Sequence, residues 1–427
     1  MIEIKTKKQA LTLGIVFFLL IVIPLSLMAF LIANGMFNVK VTTLKEKALD
    51  VIDKKSQDGI KARAVYTADE VAVFLMECKK DLLMATIFPQ TEDAYKWLVA
   101  ENKRPLWRKE NNVVEQVPTP IYREIALIDK NGNEKIKIAD GQTVPPEKLV
   151  NVSNLANTTY KSEDYFATTK TLNKGDVYVS PVTGYYITKA AFENGERFAG
   201  IIRFSTPVFS REEFAGVLTL AVDYRHLAKF TDQIIPTEME VVFEADASTG
   251  NYAYMVDSRN FVISHPYDYH IVGLKPDGTS AITLSAQNAE ELKQKGEEAL
   301  NLMQLGFLDP KLPVIAKEAA KGESGIMIYK FGGFTKLVAY APIRFYASNL
   351  TPPAGFGWVA MGLEIEKYNK SLQEIAENIE KGSEKSTATV IIVLIFFMVI
   401  LFFMMLILLR GITLSKQTET PKGSGDP

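Results

Sequence analysis

The chain has 427 residues, of which 47% are hydrophobic, and its formal net charge at pH 7 is -2. This length exceeds that of one ordinary domain, and the near-neutral charge excludes a globally basic nucleic-acid-binding protein. The single cysteine, Cys78, cannot form an intrachain disulfide, so no disulfide framework supports the fold.

Two apolar stretches are long enough to cross a membrane. Residues 9–38 contain no charged side chain, and residues 390–409 are unbroken apolar sequence. A cleaved signal peptide is the alternative for the first stretch, but its apolar core would be shorter and would end in small residues. Basic residues, Lys5 and Lys416 among them, lie outside both stretches, which predicts cytoplasmic termini. We therefore expect a two-pass protein of the bacterial inner membrane, with its large central region periplasmic or extracellular.

Between the first span and Pro89, residues 39–88 carry apolar side chains at helical spacing among Lys, Glu and Asp. This pattern predicts one long helix. The helix either serves only as a core helix against the sheets that follow, or also forms a dimer face in its membrane-proximal half. Residues 366–389 predict a second helix that leads directly into the second span.

The central region contains one module twice. Each copy opens with a hairpin that carries Asp at its turn and closes with a second hairpin in which a Gly precedes an acid by seven residues. The matched features are residues 125–138 and 252–264, residues 203–224 and 338–364, and Gly216 to Asp223 and Gly357 to Glu364. Such an internal repeat predicts two tandem antiparallel-sheet modules. Residues 279–322 predict a helical insertion in the second copy.

Parity predicts which side chains of the hairpin at residues 203–224 share a face. Because its apolar even-numbered side chains must face the core together, Arg203 and Asp223 fall on the opposite face. The register that we expect places Arg203 opposite Thr219, about 13 Å along the strand from Asp223. At that separation the two charges form no direct salt bridge and are free to contact opposite ends of one ligand.

Tyrosines and polar residues concentrate at positions 160–224, which makes this the predicted ligand-binding region. The structural alternative is that the tyrosines are strand residues and that Asp223 caps the turn after its strand. The candidate ligand-binding residues are Tyr165, Phe166, Tyr178, Ser180, Tyr186, Arg203, Ser205 and Asp223.

Catalytic and metal-binding patterns are missing from the sequence. His226, His265 and His270 do not form a metal-ligand cluster, and there is no Gly-rich phosphate loop, nucleophile elbow or zinc-protease pattern. We expect no metal, no cofactor and no enzyme. A periplasmic hydrolase and a structural or interaction subunit that binds no small molecule remain the alternative functions.

Four phrases, in their order along the chain, resemble the double Cache sensor domain of bacterial chemoreceptors and sensor kinases. They are Glu163-Asp164-Tyr165-Phe166, residues 175–181, residues 216–223 and Ser264-His265-Pro266. The resemblance covers roughly residues 40–380 and implies two PAS-like modules, with ligand usually bound in the membrane-distal one. The family's amino-acid-binding members imply an Arg and a Trp before Phe166 and a Tyr after Ser-Pro. Here Glu163, Tyr165 and Val182 stand near those positions, whereas Asp223 matches the strand-end acid.

The expected fold is α+β, with a long N-terminal helix and two tandem PAS-like antiparallel-sheet modules flanked by two transmembrane helices. The expected function is a membrane-anchored sensor that binds a small polar ligand, such as an amino acid or organic acid, in the distal module. It would signal across the membrane to a separate signalling protein, because the output segments of the family are not recognisable after Arg410. We expect a homodimer that forms through the long helix. The expected segments are residues 1–10 (cytoplasmic), 11–37 (first transmembrane helix), 38–114 (long helix and connection), 115–234 (distal module), 235–365 (proximal module), 366–389 (exit helix), 390–409 (second transmembrane helix) and 410–427 (cytoplasmic tail).

Overall fold

The computed structural model of the chain describes residues 7–110, 113–238 and 240–415. Lys5 and Lys416, on which the predicted topology depends, lie outside these ranges, as does most of the predicted cytoplasmic tail. Ser56–Tyr368 form one compact unit, and the helical segments before and after it belong to a second. The helices are α1 (Lys7–Phe17), α2 (Ile23–Ala85), α3 (Glu92–Glu101), α4 (Tyr165–Thr169), α5 (Lys189–Glu193), α6 (Arg225–Asp232), α7 (Ala289–Lys295), α8 (Lys311–Ala320) and α9 (Ile365–Ser415), with a π-helical turn, Phe18–Val22, between α1 and α2.

Two helical stretches are long and apolar enough to cross a membrane. They are Leu11–Phe37, with 27 residues, and Ile365–Ile407, with 43 residues, and their most apolar 18-residue windows have mean hydropathies of 3.1 and 3.5. Almost none of either window is buried inside the protein, unlike the core helix of a soluble domain. The predicted second span therefore lies within α9, which begins directly after the last strand.

The predicted long helix forms the second part of α2, which ends at Ala85, three residues before its predicted end. From Ile60 onward its apolar face is buried in the main hydrophobic core, together with side chains of both sheets. Phe74, Leu75 and Leu82 are almost completely buried there. Within the compact unit this segment is a core helix, as its helical spacing predicts.

The strands form two larger antiparallel sheets and a separate hairpin. The strands are β1 (Lys103–Glu110), β2 (Val113–Pro120), β3 (Tyr122–Asp129), β4 (Glu134–Ala139), β5 (Gln142–Thr143), β6 (Tyr178–Val179), β7 (Thr183–Gly184), β8 (Gly200–Ser210), β9 (Glu213–Asp223), β10 (Tyr252–Asp257), β11 (Val262–Ser264), β12 (Gly325–Phe331), β13 (Phe334–Ile343) and β14 (Gly357–Glu364). The first sheet has the order β5-β4-β3-β9-β8-β6, with β7 also paired to β8, and the second has the order β11-β10-β14-β13-β12. We call residues 122–223 the first module and residues 252–364 the second module. A long helix with two antiparallel-sheet modules and two flanking apolar helices confirms the predicted fold class.

The two modules repeat the same local geometry. In each, the leading strand of the first hairpin pairs with the last strand, which in turn pairs with the strand before it. A Cβ atom at Gly216 would collide with the carbonyl oxygen of Ile128, and one at Gly357 would collide with that of Val256. Close approach of neighbouring backbones therefore requires glycine at both repeated positions.

The repeated Asp of the first hairpin is a turn residue in both modules. The Oδ1 atom of Asp129 accepts hydrogen bonds of 2.9 Å from the amides of Asn131 and Asn133. That of Asp257 accepts bonds of 2.9 and 3.0 Å from the amides of Arg259 and Phe261. These contacts satisfy the backbone of the turn, which explains why the residue recurs.

The register of the β8–β9 hairpin corrects one prediction. Arg203 and Asp223 do share a face, but Arg203 lies opposite Ala221, not Thr219. The turn consists of Arg211 and Glu212, both with positive φ, and a bulge beyond it shifts the pairing. Alternation fixes only whether the residue numbers of paired residues add to an even or an odd sum, so it does not distinguish this pairing from one shifted by two residues.

The structure also contains elements that the sequence did not indicate. Residues 89–120, predicted as a connection up to residue 114 and as the start of the distal module from residue 115, form α3 and the β1–β2 hairpin. Thr91 caps α3, because its side chain accepts a hydrogen bond from the amide of Ala94. Most β1 and β2 side chains are exposed, so these strands lack the apolar alternation that marks a buried strand.

Candidate functional site

A cavity of about 340 Å³ lies at the contact between the two modules. The first module contributes the segment leading into α4 and the short strands β6 and β7. The second module contributes the turn between β10 and β11 and the loop that follows β11. We call this the tyrosine cavity, and it is lined by Ser162, Glu163, Asp164, Tyr165, Tyr178, Ser180, Pro181, Val182, Thr183, Gly184, Arg259, Phe261, Val272, Gly273, Leu274, Gly278 and Ser280.

Three predicted site residues line the tyrosine cavity. Tyr165 is the first residue of α4, and Tyr178 lies on β6, where its hydroxyl donates to Asp164 Oδ1 at 3.2 Å. Ser180 follows β6, and its hydroxyl accepts a hydrogen bond of 2.9 Å from the amide of Arg203. The β6–β8 ladder and the start of α4 thus bring the three side chains to one wall.

Three other predicted residues lie away from the cavity. Phe166 packs in an apolar cluster of the first module. The Tyr186 hydroxyl donates to the carbonyl oxygen of Tyr269 at 2.9 Å, which ties the first module to the second. The Ser205 hydroxyl is hydrogen-bonded to that of Thr169 at 2.5 Å. None of the three lines the tyrosine cavity, so any ligand contact by them stays a prediction.

Arg203 is not the free cation that the sequence suggested. Its side chain is 1% exposed, and it forms ion pairs of 2.7 Å with Glu163 and 3.2 Å with Glu124. Its guanidinium carbon lies 4.5 Å from the centre of the Tyr165 ring. Burial alone would lower the pKa of Arg203, but the two carboxylates raise it above its ordinary value. The guanidinium therefore stays charged beneath the wall of the cavity, where Glu163 connects it to the lining.

Asp223 is also engaged by a neighbour. Its carboxylate accepts a 3.0 Å hydrogen bond from the amide of Arg225 and bonds of 2.6 to 3.1 Å from the guanidinium of the same residue. These bonds match the structural interpretation, in which the acid caps the turn that begins α6. The prediction that Arg203 and Asp223 are both free for one ligand is wrong, since nearby residues of opposite charge satisfy each of them.

The second module adds the cation of the tyrosine cavity. Arg259 donates to Asp257 Oδ2 from Nε at 2.9 Å and from Nη2 at 2.7 Å, and half of its side chain is exposed. It is the only basic residue among the described residues that line the cavity. Glu163 and Asp164 belong to the part of the lining that the first module contributes. The second module thus supplies a cation to the cavity, and the first module supplies two carboxylates, one of them paired with Arg203.

Sequence reasoning missed Asp164 and Arg259 as site residues. Asp164 lies within a phrase that resembles the sensor family, and Arg259 follows the repeated Asp257 at a hairpin turn, so both positions carried a local signal. The two residues are almost a hundred positions apart in the chain. They line one cavity only because the two modules are in contact. Among the described residues, no group of three or more His, Cys, Asp or Glu side chains could hold a metal ion.

No family model matches the sequence, and no curated protein matches it. The solved structures that resemble the chain include extracellular domains of histidine kinases and ligand-binding domains of chemoreceptors. The extracellular domain of histidine kinase vpHK1S-Z8 has 14% identity and a TM-score of 0.41, and the match covers 78% of this chain and 95% of that domain. The ligand-binding domain of Pseudomonas fluorescens chemoreceptor CtaA in complex with L-leucine has 13% identity and a TM-score of 0.39, covering 74% and 98%. The sensory domain of Campylobacter jejuni chemoreceptor Tlp3 has 13% identity and a TM-score of 0.38, covering 77% and 98%. At TM-scores below 0.5, these likenesses carry no inference about what this chain binds.

Proposed function

We propose that the chain is a membrane-anchored sensor that binds a small zwitterion, of the amino-acid type, in the tyrosine cavity. The observation that supports this function is the cavity itself, with Arg259 from the second module and Glu163 and Asp164 from the first. A volume of about 340 Å³ falls at the small end of the range found for ligand pockets. The ligand would contact both modules, not the first alone as the sequence predicted.

The charges that the two modules supply suggest how the ligand is oriented. Arg259 uses its Nε and one Nη2 bond on Asp257, and the half-exposed guanidinium offers further donors to a carboxylate. Asp164 is exposed and accepts one hydrogen bond from Tyr178, which leaves acceptor capacity for an ammonium group. Tyr165 and Phe261 supply aromatic surface for the rest of the ligand.

We further propose that the two apolar stretches anchor the sensor in a bacterial inner membrane, with the compact unit outside the cytoplasm. The basic flanks of the sequence support this topology. A ligand that binds both modules favours the arrangement in which they are in contact, and β14 of the second module continues directly into α9. A change in the contact between the modules would pass through α9 to a signalling partner. The surface of α2 would form a homodimer.

Calorimetric titration of the full chain in detergent tests the binding proposal. The probes are the twenty amino acids, with acetate and ethylamine as half-ligands. For an amino acid that binds, Arg259→Gln and Asp164→Asn should each weaken binding about tenfold or more, because each removes a charge-assisted hydrogen bond. Arg123→Gln and Asp140→Asn, which break an exposed ion pair outside the cavity, are the matched controls.

Affinity that stays unchanged in both cavity variants would contradict the location of the site. If no probe binds, a structural or interaction subunit becomes the better interpretation.

Reporter fusions near Lys295 and after Lys416 test the topology separately. A cytoplasmic signal from the fusion near Lys295 would refute it.

A further inference from the structure

A second cavity lies on another part of the compact unit and takes no part in the function proposed above. Its volume is about 180 Å³, room for roughly six water molecules. Its walls come from β1, from the loop before β8, from α6, and from the segment after β11. We call it the aspartate cavity, since Asp232 and Asp268 both line it.

The two carboxylates of this cavity lack a cationic partner. Asp232 accepts a hydrogen bond of 2.6 Å from the Ser264 hydroxyl, and Asp268 accepts one from the amide of Phe198. Within the part of the chain that the structure describes, neither carboxylate forms an ion pair within 4 Å. Burial, and then the charge of Asp268, raises the pKa of Asp232 to about 8, and burial raises that of Asp268 to about 6.

The basic residues of the same walls form no ion pair with the two aspartates. Arg197 forms an ion pair of 3.0 Å with Glu244, and Arg225 is bonded to Asp223. The Lys229 ammonium lies 5.6 Å from the centre of the Phe230 ring. Burial outweighs the charge of Arg197, which lowers the pKa of Asp268, and no cation among the described residues contributes to the pKa of Asp232. A ligand ammonium would add the positive charge that this buried pair lacks.

Two buried polar groups at the same cavity are incompletely partnered. The Trp107 indole nitrogen makes no hydrogen bond with any described residue, and the Tyr224 hydroxyl meets only the Ser264 hydroxyl, without good hydrogen-bond geometry. Tyr224 is only 3% exposed, and its ring packs edge to face against Phe198 at 4.9 Å. Leaving such groups unpaired costs stability, so a ligand or ordered water completes their hydrogen bonds in this cavity.

We propose that the aspartate cavity binds the ammonium group of a small amine, with Asp232 and Asp268 as its anionic partners. The Tyr224 oxygen accepts a further ammonium hydrogen. Because the Trp107 nitrogen can only donate, the amine also carries an acceptor oxygen, as in a small amino alcohol. Aromatic faces around the cavity favour a cation through their ring electrons.

Calorimetric titration of the full chain in detergent with three matched probes tests this proposal. The probes are 3-aminopropanol, propylamine, which lacks the acceptor, and 1,3-propanediol, which lacks the charge. We expect 3-aminopropanol to bind most tightly, propylamine about fivefold more weakly, and the diol without measurable heat. Asp268→Asn should weaken binding of both amines about tenfold or more, whereas Glu290→Gln, on the exposed surface of α7, should leave it unchanged.

Two further variants keep the test decisive if Asp268→Asn fails to fold. Tyr224→Phe should weaken amine binding with little change in the melting temperature, because the hydroxyl it removes makes no hydrogen bond of good geometry within the described residues. Trp107→Phe should abolish the preference for 3-aminopropanol over propylamine. Equal binding of the diol and the amines, or amine binding that Asp164→Asn weakens but Asp268→Asn and Tyr224→Phe do not, would overturn the proposal.

Discussion

Replacing Arg203 by leucine should destabilise the compact unit strongly. The substitution removes the guanidinium that pairs with Glu163 and Glu124, whose side chains are 4% and 12% exposed. Breaking a buried ion pair from one side costs about 3–5 kcal/mol, because the remaining charges stay buried without a partner. At roughly 1.5 °C per kcal/mol for a unit of this size, the melting temperature should fall by about 4–8 °C.

The assay is thermal and urea unfolding of the full chain in detergent, followed by tryptophan fluorescence at several pH values. Arg123→Leu is the matched control, since it removes an exposed ion pair from the same sheet and should cost less than about 1 kcal/mol. Burial alone would raise the pKa of Glu124, but Arg203 and Lys137 lower it below its ordinary value. In the wild type, that contribution to stability is present above the ordinary glutamate pKa and is lost as the pH falls below it.

In the Arg203→Leu variant Glu124 should take up its proton at a higher pH than in the wild type. The difference in stability between the two proteins should therefore shrink as the pH falls from 7 towards 4. Two results would refute the account of Arg203 as the centre of a buried charge network. One is a loss of stability as small as that of Arg123→Leu, and the other is a stability difference from the wild type that does not change with pH.

Two further predictions concern the repeated module and its buried lysine. Gly216→Ala and Gly357→Ala should both lower the melting temperature, since each added Cβ meets a carbonyl oxygen of the neighbouring strand. Gly59→Ala in α2 is the control, because its added Cβ meets no atom within 4 Å. That substitution should raise the melting temperature, since alanine has a higher helix propensity than glycine. Tolerance of alanine at both strand positions would contradict the shared backbone geometry. Lys336→Met should stabilise the chain more at pH 7 than at pH 10, because burial lowers the pKa of Lys336 to about 7 while the unfolded chain binds the proton up to about 10.5. An equal gain at both pH values would show that the lysine holds its charge beside the Tyr252 ring.

Local patterns in the sequence determined the long helix, the hairpins of the two modules and the repeat. Helical spacing at residues 39–88 and period-two alternation at residues 203–224 depend only on which face of an element is buried, and the described helix and hairpin carry those faces. The repeated Asp129 and Asp257 form hydrogen bonds within their own turns, so the sequence pattern was enough to predict them as turn residues. Parity likewise placed Arg203 and Asp223 on one face, because a shift by one residue would expose the core side chains.

Only the tertiary structure decided which charges neutralise one another and where cavities lie. Arg203 meets Glu163 and Glu124 across 40 and 79 positions of the chain, and Arg259 reaches the tyrosine cavity from another module. The exact register also needed the structure, because side-chain alternation does not distinguish pairings shifted by two residues. Contacts between distant segments follow from how the sheets, loops and α6 pack together, and single-sequence periodicity carries no record of that packing. For the same reason Asp232 and Asp268 were unremarkable in the sequence and became a candidate site only when folding brought them to one cavity.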